Sequence, residues 1–195
     1  MLKKLLLSAF ASALLALSVS VSTASAADYV MMADLNKMSQ ADYEKALAKV
    51  FERAPWVIKG AGQHRPYKGF VDMYMGMVSV IQKSDKKTKL ALIQSHPDLA
   101  CKGIRAEVTA HSASEQAGAG LDQCSQEEAD KLAKLTTEYR QKNGFPFMLA
   151  VKYFNKAEIF EQIDTRMKNS KESEFETALQ QVYKVVLMRL LDTAK

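Results

Sequence analysis

Four side chains in this sequence have the types and spacing to do proton chemistry on a polar ring. His96 stands in "SHPDLACKG", directly before Pro97. Imidazole is the side chain best suited to move protons near neutral pH. Ser112, Glu115 and Gln116 follow in "SASEQAGAGLD". They are spaced i, i+3 and i+4, so on a helical turn they share one face. A hydroxyl, a carboxylate and an amide on one face can bind a polar heterocycle, and the carboxylate could also orient or polarise the imidazole. The plainer reading is a capping box, with Ser112 as N-cap and Glu115 at N3. Both hold together if the free amides of that helix start also receive an anion.

The other histidines carry less. His64 lies in the loop "GQHRPYKG" and His111 in "TAHSAS"; each is most simply a surface side chain. His96, Cys101, His111 and Cys124 are ligand-capable, but no C-x-x-C or H-E-x-x-H spacing supports a metal site. "GAG" at Gly118–Gly120 is too short for a phosphate loop, and no strand precedes it. No G-x-S-x-G marks a serine nucleophile.

The elements that must position these groups read as helices throughout. Ser39 caps the first, with Tyr43, Ala46, Leu47, Val50 and Phe51 on one face. Pro55 opens a short second helix. Phe70–Gln82 is a third and Asp85–Ser95 a fourth; His96 stands at its end because Pro97 disfavours helical dihedrals before it. Ser125 and Glu128 form a capping box for a helix that Gly144 ends. Asn155 caps a helix through Met167, and a long last helix carries Phe175, Ala178, Leu179, Val182, Val185, Val186 and Leu190. "FPFMLAVKYF", Phe145–Phe154, reads as extended first and helical later. The fold class is all-α, a single-domain helical bundle.

The chain has 195 residues, 48% hydrophobic and 25% charged, the profile of a globular protein. Its start differs. Two lysines, an uncharged run from Leu5 to Val21 and Ala24-Ser25-Ala26 make a cleavable signal peptide over residues 1–26. The mature domain is then 27–195, exported, most simply to a bacterial periplasm, with no stable membrane anchor. Without Lys3 and Lys4 the formal charge falls from +5 to +3. That is too weak for a nucleic-acid partner, and no basic stripe interleaves with aromatics. In an exported protein the two cysteines suggest one disulfide.

Four linked stretches now stand in one order: "FERAPWV" with "RPY", "LALIQSHPDLA", "SASEQAGAGLD" and "YRQKNGFPFMLAVK". In order and spacing they resemble the OHCU decarboxylase family, from about Ser39 to the C-terminus. OHCU is 2-oxo-4-hydroxy-4-carboxy-5-ureidoimidazoline. The resemblance implies a helical lyase that needs no cofactor, forms a homodimer and converts OHCU to (S)-allantoin and carbon dioxide in urate breakdown. It implies that His96 is the general acid/base, with Glu115 beside it. It implies a substrate site lined by Pro97, by Ser112, Ala113, Ser114, Glu115 and Gln116, and by Phe147, Met148, Leu149, Ala150 and Val151, the last group partly through main-chain atoms, with Lys152 adjoining.

Three features depart from the family pattern. Lys152 stands where arginine is usual, keeping the charge and losing the planar fork. Cys101 and Cys124 replace a small and an apolar residue; a bridge between them would close the substrate-binding segment, and the alternative is two buried thiols. The export leader is the third departure. Two rival readings stay open: a non-catalytic exported helical module that binds a ureide or purine, and a metal-binding protein using His96, Cys101 and His111.

Overall fold

The structure is a computed structural model that describes residues 29–103 and 108–195. The leader expected over residues 1–26 lies outside the described residues. Among them are nine α-helices and no strand: α1 Met32–Lys37, α2 Gln40–Ala46, α3 Pro55–Gly62, α4 Phe70–Lys83, α5 Lys86–Gln94, α6 Ala110–Gly118, α7 Gln126–Asn143, α8 Lys156–Arg166 and α9 Lys171–Leu191. A 3-10 turn, Val151–Tyr153, lies between α7 and α8.

Local sequence sets most of the boundaries. Ser39, Asp85, Ser125, Asn155 and Ser170 each accept a backbone N–H from the first turn of the helix they open. Ser125 with Glu128 and Asn155 with Glu158 complete capping boxes. Pro55 occupies the first turn of α3. Gly144 ends α7 at φ +84°, a left-handed conformation that glycine adopts without strain.

The helix expected through Phe51 is shorter. It stops at Ala46, and Val50 and Phe51 stay buried in the turns that follow. Helix α1 had no sequence signal: it is six residues long, and its N-cap Met31 makes no side-chain cap. Phe145 to Ala150 carries no regular secondary structure before the 3-10 turn.

Helix α9 organises the core. It packs against α4, α5 and α7, and Ala178, Leu179, Val182, Val186 and Leu190 are buried along it. Beneath it lies a buried polar cluster. Glu174 is fully buried and accepts from Tyr139, from Arg166 Nε at 2.8 Å and from Asn169 at 2.8 Å. Arg166 also donates to the Met148 carbonyl at 2.7 Å, and Gln181 accepts from the Ala150 N–H at 3.1 Å. A segment without its own ladder must place its backbone polar groups elsewhere; α8 and α9 supply those partners to the Phe147–Val151 stretch. Near the two ends of the described residues, Val30 and Ala194 form an isolated parallel bridge.

Candidate active site

One cavity gathers residues from five places: the turns after α2, the end of α5, the middle of α6, the Phe147–Val151 stretch and α9. Its empty space, counted out to solvent, is about 870 Å³.

His96 enters from just past the end of α5. The helix closes at Gln94, and the His96 N–H still reaches the Ile93 carbonyl at 3.2 Å. Its Nδ1 lies 2.9 Å from the Leu92 carbonyl. A carbonyl only accepts, so in the neutral ring Nδ1 carries the hydrogen and Nε2 keeps a lone pair. Burial pushes the imidazole pKa below its ordinary value; the Arg53 and Arg189 guanidiniums push the same way, against the two backbone contacts. The ring is therefore neutral at pH 7 and fit to accept a proton at Nε2. The following loop is pinned: Asp98 takes Arg140 Nε on both carboxylate oxygens, at 3.0 and 2.9 Å.

Glu115 enters from α6 and is clamped. Arg189 Nε donates to Glu115 Oε1 at 3.0 Å and Nη2 to Oε2 at 3.1 Å. The same guanidinium reaches Ser112 Oγ at 3.1 Å and Glu52 Oε2 at 3.3 Å. This corrects two expectations. The His96 Nδ1 partner is Leu92, and Glu115 is held by Arg189. Ser112 is not the N-cap of its helix: Thr109 is, accepting the Ser112 N–H at 3.2 Å. Ser112 is thereby freed to face the cavity, and Glu115, well past the N3 position of the Thr109 cap, takes no part in a capping box.

Gln116 is 7% exposed, lines the cavity, and its side-chain carbonyl has no hydrogen-bond partner among the described residues. A buried acceptor left unpaired costs about 1–3 kcal/mol, so it is a strong mark of a place where a ligand donates.

Of the other expected site residues, Pro97, Phe147, Met148, Leu149 and Val151 line the cavity. Ala113, Ser114, Ala150 and Lys152 do not. Ser114 is exposed on the far side of α6, and Ala150 is buried behind the lining. Lys152 is exposed and pairs with Asp192 at 2.8 Å, which raises its pKa. Sequence reading missed Glu52, Arg53 and Arg189. Arg189 did leave a signal: it falls three, four and seven residues after Val186, Val185 and Val182, on the apolar stripe of α9. A cation on a core-facing stripe needs acids to meet it.

Cys101 and Cys124 form a disulfide, with Cα atoms 6.1 Å apart. It joins the loop after His96 to the segment after α6. The metal reading that used Cys101 fails here, because a disulfide sulfur offers no thiolate. His64 is exposed and His111 half-buried, and neither lines the cavity.

An all-α chain that turns a neutral histidine and a clamped carboxylate toward one cavity has the layout of a helical acid–base enzyme. Comparison with known proteins narrows the class. The OHCU decarboxylase family model matches residues 36–191, and the chain belongs to that family. It is 34% identical over 157 residues to the 2-oxo-4-hydroxy-4-carboxy-5-ureidoimidazoline decarboxylase of Halalkalicoccus jeotgali, covering 80% of this chain and 88% of that protein. It is 37% identical over 156 residues to the uric acid degradation bifunctional protein of Bacillus sp. (strain TB-90), covering 80% of this chain and 30% of that protein. The chain thus spans about a third of the length of the bifunctional relatives it matches. A crystal structure of (S)-allantoin synthase is similar at a TM-score of 0.70 and 26% identity, over 85% of this chain and 54% of that one.

Proposed function

We propose that this chain decarboxylates 2-oxo-4-hydroxy-4-carboxy-5-ureidoimidazoline, releasing carbon dioxide and leaving (S)-allantoin. One observation carries the reading: the neutral His96 faces the same cavity as the clamped Glu115 and the unpaired Gln116 carbonyl.

The chemistry follows from the substrate. The carboxylate on C4 leaves as carbon dioxide, and its bonding electrons form a C4=C5 double bond. The adjacent C5=N bond gives up its π electrons to nitrogen, which takes a proton from solvent. The product is an enol. His96 Nε2 removes the proton of the 4-hydroxyl as the C4 carbonyl forms, and the imidazolium returns a proton to C5. Delivery to one face makes one enantiomer. The protein supplies a fixed pose, a base of suitable pKa and polar partners for the ring. Gln116 accepts from a ring or ureido N–H, and Ser112 and Glu115 present oxygens beside it.

The residues past the leader, 27–195, form the working domain in this proposal. Export to an oxidising compartment, most simply a bacterial periplasm, is supported by the leader-like residues 1–26 and by the paired cysteines. A homodimer is supported by Val71 and Met75, one turn apart on α4 and 69% and 49% exposed. Light scattering tests the dimer.

The enzymatic test supplies freshly generated OHCU and follows chiral allantoin by circular dichroism. Production of (S)-allantoin well above the spontaneous rate is expected. A rate equal to the spontaneous one overturns the activity and leaves the rival reading, a non-catalytic module that binds a ureide or purine.

A further inference from the structure

Among the described residues, five ionisable side chains line the cavity: Glu52, Arg53, His96, Glu115 and Arg189. The two acids and two guanidiniums balance in number and not in position. Arg189 takes both carboxylates, engaging Nε, Nη1 and Nη2. That group alone carries a formal charge of −1, and His96 adds none while neutral. A carboxylate entering against it meets net repulsion. Arg189 cannot turn to the incoming anion without abandoning two acids that are mostly buried, 16% and 19% exposed.

Arg53 is left over. It follows Glu52 in sequence, but Glu52 turns inward to Arg189 while Arg53 is exposed. Its guanidinium has no acid partner among the described residues, yet it lines the cavity. A planar fork matches a carboxylate with two hydrogen bonds.

We propose that Arg53 binds the substrate's carboxylate at the cavity mouth and so selects the carboxylated ring over its decarboxylated product. This rests on the activity proposed above. The contact exists in the ground state and disappears as carbon dioxide departs, so it belongs to binding rather than to the barrier. The neutral product then loses its strongest tie to the mouth and leaves.

The experiment compares Arg53→Gln and Arg53→Lys with the unaltered chain, reading KM for OHCU and Ki for (S)-allantoin, which lacks the carboxylate. Arg53→Gln is expected to raise KM roughly tenfold, the scale of one charge-assisted hydrogen bond, with Ki within about twofold. Arg53→Lys, which keeps the charge and loses the fork, recovers only part of the loss. Added salt raises KM of the unaltered chain and barely moves that of Arg53→Gln. An Arg53→Gln KM within about twofold of the original, or a KM and Ki that rise together, overturns the assignment while the activity stands. An unaltered chain with no activity on OHCU overturns both. Because Arg53 is exposed, thermal unfolding of the variants should match the parent.

Discussion

Arg189 holds Glu115 through two hydrogen bonds of 3.0 and 3.1 Å, across 74 residues of sequence. The clamp fixes a carboxylate at the cavity wall. It also ties α6 to the last helix, in addition to the bridge that ties the segment after α6 to the loop after His96.

Arg189→Met should therefore lose stability as well as activity. It leaves Glu52 and Glu115 facing each other without their cation. Breaking a buried pair from one side costs about 3 kcal/mol or more. Urea unfolding should show that loss, and adding Glu115→Gln should recover part of it, since the two sites are coupled. Strictly additive losses would mean that the clamp carries no interaction energy.

His96→Asn should lower kcat by at least ~10²-fold, the usual lower scale for a general acid/base, with far-ultraviolet circular dichroism unchanged. Near-parental turnover would remove His96 from the mechanism.

The pH dependence has a definite sign. Burial lowers the His96 pKa in the folded chain below its unfolded value of 6.5. The unfolded chain then binds more protons between those two values. Stability is unaffected by this group well above pH 6.5, falls as pH drops through about 6.5, and levels off below the folded pKa. The acid limb of kcat/KM should sit at the folded value, below 6.5, and the stability loss should vanish in His96→Asn. An acid limb centred above about 6.5 would contradict a histidine held neutral.

Gln116 sets function against stability. Gln116→Met removes a buried carbonyl that no group among the described residues satisfies, and keeps the side-chain volume. Melting should rise by about 2–4 °C, for a gain of roughly 1 kcal/mol in a chain of this size, while KM for OHCU worsens. A lower Tm would show that the carbonyl has a partner in solution.

The sequence announced its helix starts through Ser39, Asp85, Ser125 and Asn155, because a cap is local chemistry: a side-chain oxygen and an amide a few residues on. It announced His96 for a similar reason, since Pro97 acts on its neighbour. Ser112 misled because Thr109, three residues earlier, offers the same oxygen and wins the cap. Arg189, Glu52 and Arg53 were not legible from spacing, because Glu52 and Arg189 meet across 137 residues. The only trace was a cation on the apolar stripe of α9. The reach of Lys152 to Asp192 was likewise hidden, as it depends on where the chain end lies.

The bridge should matter to both stability and substrate affinity. Replacing Cys101 and Cys124 by serine, or adding reductant, should cost about 3 kcal/mol on a loop-entropy account. KM should rise, because the segment after α6 is no longer tied to the loop after His96. Equal unfolding midpoints with and without reductant would deny the bridge any part in stability.

The same bridge makes residues 101–124 a covalent ring, and Ser112, Glu115 and Gln116 ride on it. A trypsin-like protease that cuts once inside the ring, at Lys102 or Arg105, frees no fragment. The nicked chain runs intact on a gel without reductant and falls into two pieces with it. Helix α6, with its three cavity-lining side chains, stays fastened to the loop beside the histidine on at least one side of the cut. Loss of the site by this route then takes two events, a cut and a reduction.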